Sequence, residues 1–465
     1  MRSAPQSIRE RRYAVIGAGV SGLVAAKYLL AAGFKNVTIF ELGSKIGGLW
    51  CYDNDNGLSS AYRTLHINST TKNTHFHDYP FKDDVQPFPS HEDMYDYLVS
   101  YAEAFDLFRY IRFKTKVESV EPSPEWSKER PQWTVKTDSG DQLTFDRVIL
   151  ASGHLHFPRH DPVLKEAFQG QYVHSHDYRE PAQFVGQRVC VVGAGNSAFD
   201  IAGDVCTTSS KTVLVARSPI LLSPKLIFGK PFMDFAARLE HRLIPDRLRR
   251  WILARLTYLI NGRMTDLGFK PMTKRAHGAS NPILVQHIIF RRVTIKQGIS
   301  QIVGKEIVFS DGSRGEFDVL VAATGYNYDI PFLSQSIAST DDNRLELYKR
   351  VVAPDWPGLY FIGFVNSTTG LPATFEHQVH WLMPIETGDA VLPSPDEMRA
   401  DIAAKRAFIE TNYYGSARHQ IEEPHLVYLP ELKKSRDELA RRAKRERRDR
   451  DASESQSKPA GASSR

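Results

Sequence analysis

The stretch Tyr13–Leu23, reading Y-A-V-I-G-A-G-V-S-G-L, constrains this chain more than any other. Four mostly apolar residues suited to a buried parallel strand run directly into Gly17, Gly19 and Gly22, and Leu23 to Ala32 follows as a good helix former. In a strand–turn–helix of this kind the first glycine makes the tight turn, the second lets the backbone approach a pyrophosphate, and the third lets helix pack on strand. The helix N-terminus then faces the anion. A lone G-x-G-x-x-G says little. Here a second strand, Val37 to Phe40, ends at Glu41, about 20 residues beyond the last glycine, where a carboxylate accepts hydrogen bonds from ribose hydroxyls.

The pattern occurs twice. Arg188 to Val192 is an apolar strand, Gly193, Gly195 and Ala198 form a G-x-G-x-x-A turn, Phe199 to Val205 continues as helix, and Thr212 to Val215 is the next strand. Arg217 stands where an acid would select NAD. A guanidinium there pairs with a 2'-phosphate that a carboxylate would repel, so NADPH is expected over NADH. Two turns, one with an acid and one with an arginine, point to FAD and NADPH together. Two apolar strands, Asp146–Gly153 and Phe317–Tyr326, each end at a small residue and a glycine, which suits close approach to a cofactor. Both are expected to stop beside FAD although they flank the second turn.

Between these landmarks, Gly47-Gly48-Leu49-Trp50 is a paired-glycine turn with a large aromatic, close enough to the first turn to line the same dinucleotide. Ser60 to Phe81 lacks apolar periodicity and reads as a loop lining something polar, whereas His91 to Phe105 is an amphipathic helix and Phe113 to Leu150 an antiparallel excursion. Residues 220 to 269 hold helical patterns rich in arginine, consistent with core, a lid, a substrate-tunnel wall or a membrane-surface contact, core or lid being favoured. From Glu431 a solvated charged helix is expected, then a disordered tail over Ala452 to Arg465.

With 465 residues, 42% of them apolar, the chain can build two or three packed domains. Its three scattered cysteines exclude a disulfide framework and favour a reducing, cytoplasmic location. No metal-ligand spacing, secretory signal or transmembrane run is present. Much of the net charge of +6 arises near the C-terminus, so a nucleic-acid partner is not indicated. A homodimer and a peripheral membrane contact stay open.

The connection between the two turns, Phe168 to Tyr178 (F-Q-G-Q-Y-V-H-S-H-D-Y), fits F-x-G-x-x-x-H-x-x-x-[YF], and the chain thereby resembles the flavin-containing monooxygenases from Tyr13 to Pro393. The resemblance implies an α/β fold of two Rossmann-like dinucleotide-binding domains, glutathione-reductase-like, with the NADPH domain inserted in the FAD domain. The division it implies is 1–168 and 324–430 for FAD, 169–323 for NADPH with a helical insertion at about 220–270, and 431–465 for the charged helix and tail. It assigns Gly17, Gly19, Gly22, Glu41, Gly48, Leu49 and Trp50 to the flavin side, and Gly193, Gly195, Asn196, Ser197 and Arg217 to NADPH. Thr64, His174 and Ser175 are expected to bind cofactor as well, and Thr324-Gly325 belongs to the A-T-G-[YF] motif. Asn68, gaplessly aligned through Ser60–Leu65, falls on the active-site asparagine. Thr71 and Lys72 depart from the family's basic residue and glutamate at those positions.

By resemblance, NADPH reduces FAD, O2 adds at flavin C4a, and the hydroperoxide attacks a soft nucleophile such as an amine nitrogen or a sulfide. The small-molecule substrate is an amine, sulfide or ketone. A Baeyer–Villiger monooxygenase would carry Trp where this chain has Tyr178. A disulfide reductase would need a partner for Cys51, and Asn56 stands in that place. A non-catalytic NADPH-binding interaction protein is a rival of another class.

Overall fold

A computed structural model describes residues 6–239, 244–274, 279–367, 370–415 and 420–457. Two five-stranded parallel sheets organise them. In the first, Arg12–Ile16 lies between Asn36–Phe40 and Arg147–Leu150, with Val15 opposite Ile39 on one side and Ile149 on the other; Ile111–Arg112 and Leu359–Phe361 form the edges. In the second, Arg188–Val192 lies between Lys211–Val215 and Val319–Ala322, flanked by Val293–Lys296 and Gln171–His174. The central strands are almost wholly apolar because both faces of each sheet are covered, one by helices and the other by antiparallel strands, among them Trp133–Thr137 on the first sheet and Glu306–Phe309 on the second.

The helix Val20–Ala31 packs on the first sheet beside Leu371–Glu386, and Leu23, Val24, Leu29, Val379 and Leu382 are buried there. Asn196–Val205 covers the second sheet through Phe199, Ile201 and Val205. The antiparallel excursion is present as Val117–Pro122, Trp133–Thr137 and Gln142–Phe145.

Val319–Ala322 differs from expectation. It joins the second sheet, so the strand leading to Gly325 stops beside Gly193 and not beside Gly17. Only tertiary pairing decides which of two similar parallel edges such an apolar strand completes. Beyond it, Tyr326–Asn327 pairs antiparallel with Phe157–Pro158, so that the two crossings between the sheets run side by side.

The C-terminal helix, His425–Ser457, is also less solvated than its charge implied. Tyr428, Leu432 and Leu439 are buried in the first core, and the Trp381 indole donates to Ser435 at 3.1 Å. A narrow apolar stripe at helical spacing anchors one face while the charges stay in water. The helix continues through the start of the expected tail to Ser457, and 458–465 lie outside the described residues.

Candidate active site

At the first turn two of the three glycines, Gly17 and Gly22, are required by contact. A Cβ on Gly17, whose φ is +106°, would lie 2.6 Å from the Ala151 carbonyl oxygen, and one on Gly22 would lie 1.9 Å from that of Gly17. Gly22 therefore works by packing and does not face the cavity. The helix begins at Gly19 without a side-chain cap, which leaves its first N–H groups for an anion. Glu41 is buried with one oxygen accepting from the Ala18 N–H (2.9 Å) and the other from the Gly43 N–H (2.8 Å) and the Asn56 amide (3.2 Å). Burial raises its pKa, and these donors pull it partly back. Gly47 and Gly48 have φ of +102° and +54°, and Gly48 comes against Gly19, which brings Leu49 and Trp50 to the turn.

The second turn repeats the design. A Cβ on Gly193 would lie 2.4 Å from the Ala323 carbonyl oxygen, and the helix starts at Gly195, again uncapped. The side-chain oxygen of Asn196 is buried without a hydrogen-bond partner at this helix start. Arg217 is exposed and forms no ion pair among the described residues. A cradle that excludes Cβ atoms, two uncapped helix starts, an orphaned amide oxygen and an unneutralised guanidinium fit two dinucleotides.

Both turns open on one cavity of about 2640 Å³. Gly17, Gly19, Glu41, Gly48, Leu49 and Trp50 line it on one side, and Ser175, Gly193, Gly195, Asn196, Ser197, Arg217, Thr324 and Gly325 on the other. Asn68 also lines it, half-buried, and its amide has no hydrogen-bond partner among the described residues.

Besides Gly22, two expected cofactor residues do not reach the cavity wall. Thr64 is exposed and its hydroxyl donates to Asp204 at 2.9 Å, tying its loop to the second-turn helix. His174 is buried behind the wall, where its Nδ1 accepts from the His176 N–H at 3.1 Å while Nε2 has no hydrogen-bond partner among the described residues, and burial lowers its pKa to about 4. Both belong to motifs whose spacing marks a segment without saying which side chains face inward.

Other contributors carry no local signature. The Tyr62 hydroxyl donates to the Asp200 carboxylate at 2.6 Å, and the Asn281 amide donates to the same group at 2.7 Å. Asp234, on the helix Phe232–Arg238, accepts from Thr70 (3.2 Å) and Asn73 (3.1 Å), docking the insertion onto the Asn68 segment. Lys72 is exposed, whereas Asn73 beside it faces the cavity. The fingerprint residue Tyr178 is fully buried and donates to Asp204 at 2.5 Å.

Two glycine turns with one shared cavity define a flavoprotein that uses both FAD and NADP(H). Residues 10–438 match the flavin-binding monooxygenase-like family. The chain is 33% identical to human flavin-containing monooxygenase 5 over 441 residues, covering 91% of this chain and 82% of that one. It is 32% identical over 443 residues, with the same coverage, to mouse dimethylaniline monooxygenase [N-oxide-forming] 2. S-allyl-L-cysteine S-oxygenase from Allium sativum superposes with a TM-score of 0.69 at 26% identity, over 95% of this chain and 94% of that one. Cyclohexanone monooxygenase shares the fold, with a TM-score of 0.69 at 18% identity over 93% and 99%. The chain belongs to the flavin-containing monooxygenase family, and it is an oxidoreductase. Among the described residues, no helix is long and apolar enough to cross a membrane.

Proposed function

We propose that this protein transfers one atom of O2 to a soft nucleophile, a tertiary amine nitrogen or a sulfide sulfur. NADPH and a proton are consumed, and NADP+ and water are released with the oxygenated product. The observation that carries this reading is Asn68, an amide with no hydrogen-bond partner among the described residues, on the wall of the cavity that both nucleotide turns share. FAD, when bound, supplies oxygen activation and NADPH the electrons. The chain binds, orients and shields. Glu41 accepts from the flavin nucleotide's ribose, the uncapped helix starts receive the two pyrophosphates, and Arg217 receives the 2'-phosphate. Asn68 offers a donor and an acceptor, so it can hold the flavin edge and the nicotinamide at once. The names of similar proteins, which include N-oxide formation and S-oxygenation, agree with these substrate classes.

In this reading 1–168 and 324–430 form the FAD unit and 169–323 the inserted NADPH unit. The boundary at 323/324 follows Val319–Ala322. The three unpaired cysteines accord with a cytoplasmic location.

The test is oxygenation of an amine, a sulfide and a ketone by the FAD-loaded protein, with and without O2. NADPH oxidation with O2-dependent amine or sulfide oxide is expected. Product from the ketone alone would move the protein to the Baeyer–Villiger reaction, and absence of NADPH turnover would leave only a binding protein.

A further inference from the structure

The cavity wall built by the insertion has a charge bias that the proposed chemistry does not require. Between residues 220 and 274 the charged side chains facing the cavity are Lys225, Arg249 and Lys274, with no carboxylate among the described residues. Lys225 is set apart from the other two. It is half-buried at the base of a hairpin, where its carbonyl accepts the Phe232 N–H at 2.8 Å. Its ammonium makes no hydrogen bond or ion pair among the described residues and lies 4.9 Å from the centre of the Phe88 ring. Phe88 belongs to the strip that brackets the active-site segment, since the Pro89 and Pro87 carbonyls accept from the Ile67 and Thr71 N–H groups, both at 2.9 Å. The ammonium thus stands beside the segment bearing Asn68 and in the same cavity.

An unpaired, partly desolvated ammonium is costly to maintain. Burial lowers the Lys225 pKa, and Asp200 only partly offsets this while accepting from Tyr62 and Asn281. A structural lysine would have found a carboxylate or stretched into water. A substrate anion would supply the missing partner, and the aromatic face beneath would hold the ammonium in place until it arrived.

We propose that Lys225 is a specificity-determining residue that receives an anionic group, of the carboxylate kind, carried by the substrate. The preferred substrates are then thioethers or amines bearing an acid a short chain away from the nucleophilic atom. This rests on the monooxygenase reading above.

The test pairs 3-(methylthio)propanoate with its methyl ester, in the FAD-loaded enzyme with NADPH. In the native protein kcat/KM favours the acid by roughly tenfold to a hundredfold, the range of a charge-assisted hydrogen bond. In Lys225→Met this ratio collapses toward one, mostly through KM for the acid, while Lys225→Arg retains it. Calorimetry of the acid on the enzyme with FAD and NADP+ gives binding that Lys225→Met loses. A ratio near one in the native enzyme, or an unchanged ratio in Lys225→Met, overturns the proposal; so does an effect of that variant on KM for NADPH in place of the acid. Binding of the acid without oxygenation of either compound would instead overturn the monooxygenase reading and leave the anion site standing.

Discussion

The hydroxyl of Tyr62 and the carboxylate of Asp200 meet at 2.6 Å, joining the loop that carries Asn68 to the helix that begins at the second nucleotide turn. Burial raises the pKa of both groups. Tyr62→Phe removes the donor and leaves Asp200 with Asn281. A loss of about 1–3 kcal/mol in unfolding free energy is expected, read as a lower denaturant midpoint. An unchanged midpoint would mean that water replaces the hydroxyl at no cost.

Asn68→Ala should separate NADPH consumption from product formation. Without the amide the reduced flavin is less well shielded, and hydrogen peroxide should replace much of the oxygenated product while NADPH oxidation continues. Peroxide and product measured against NADPH decide the matter. Full product yield per NADPH would make Asn68 a structural loop residue.

Arg217→Ala should raise KM for NADPH by roughly tenfold to a hundredfold, the loss of a paired guanidinium–phosphate contact, and leave KM for NADH little changed. Steady-state kinetics with both coenzymes gives the ratio. If the preference persists, another residue reads the 2'-phosphate.

Gly22→Ala places a methyl group 1.9 Å from the Gly17 carbonyl oxygen, a contact only backbone movement can relieve. The turn and the helix start then move apart, and the protein should purify with little or no flavin. A normal flavin absorbance per chain would show that the turn adapts.

The histidines give a pH dependence with a definite sign. Burial lowers the pKa of His154 and of His174 to about 4, from an ordinary 6.5. Each stays neutral when folded and gains a proton on unfolding in acid. Their contribution is present above about pH 6.5 and is lost as pH falls toward about 4, on the order of 3 kcal/mol per group at most. Unfolding midpoints measured across this range should fall less steeply for His174→Gln than for the native protein.

Both nucleotide turns were legible because the spacing of glycines after an apolar strand is itself written in the sequence, although only Gly22 is fixed within its own turn and the carbonyls that crowd Gly17 and Gly193 come from Ala151 and Ala323 on adjoining strands. Glu41 and Arg217 were legible for the same reason, at the ends of strands whose lengths the turn dictates. Asp200, Asp234 and Lys225 were not. They meet Tyr62, Thr70 and Phe88 from more than a hundred residues away, and no periodicity records such a meeting. Thr64 and His174 show the converse, since both sit in informative motifs yet the Thr64 hydroxyl and the His174 Nδ1 bond neighbouring protein groups.

The paired crossings at Phe157–Pro158 and Tyr326–Asn327 bear on how the coenzyme enters and leaves. Two tethers fastened to each other resist sliding and stretching, but they permit a swing about the line they share. Gly153 and Gly325, at φ of +78° and +86°, lie where each tether leaves its strand, and the Gly325 carbonyl accepts the Arg159 N–H of the other tether at 2.9 Å. In a swing about this axle, distances close to it would change least and those at the far rim most. Nicotinamide and flavin, if seated near the axle, keep their spacing while the outer mouth admits substrate, so one motion can serve entry without spoiling the alignment needed for hydride transfer.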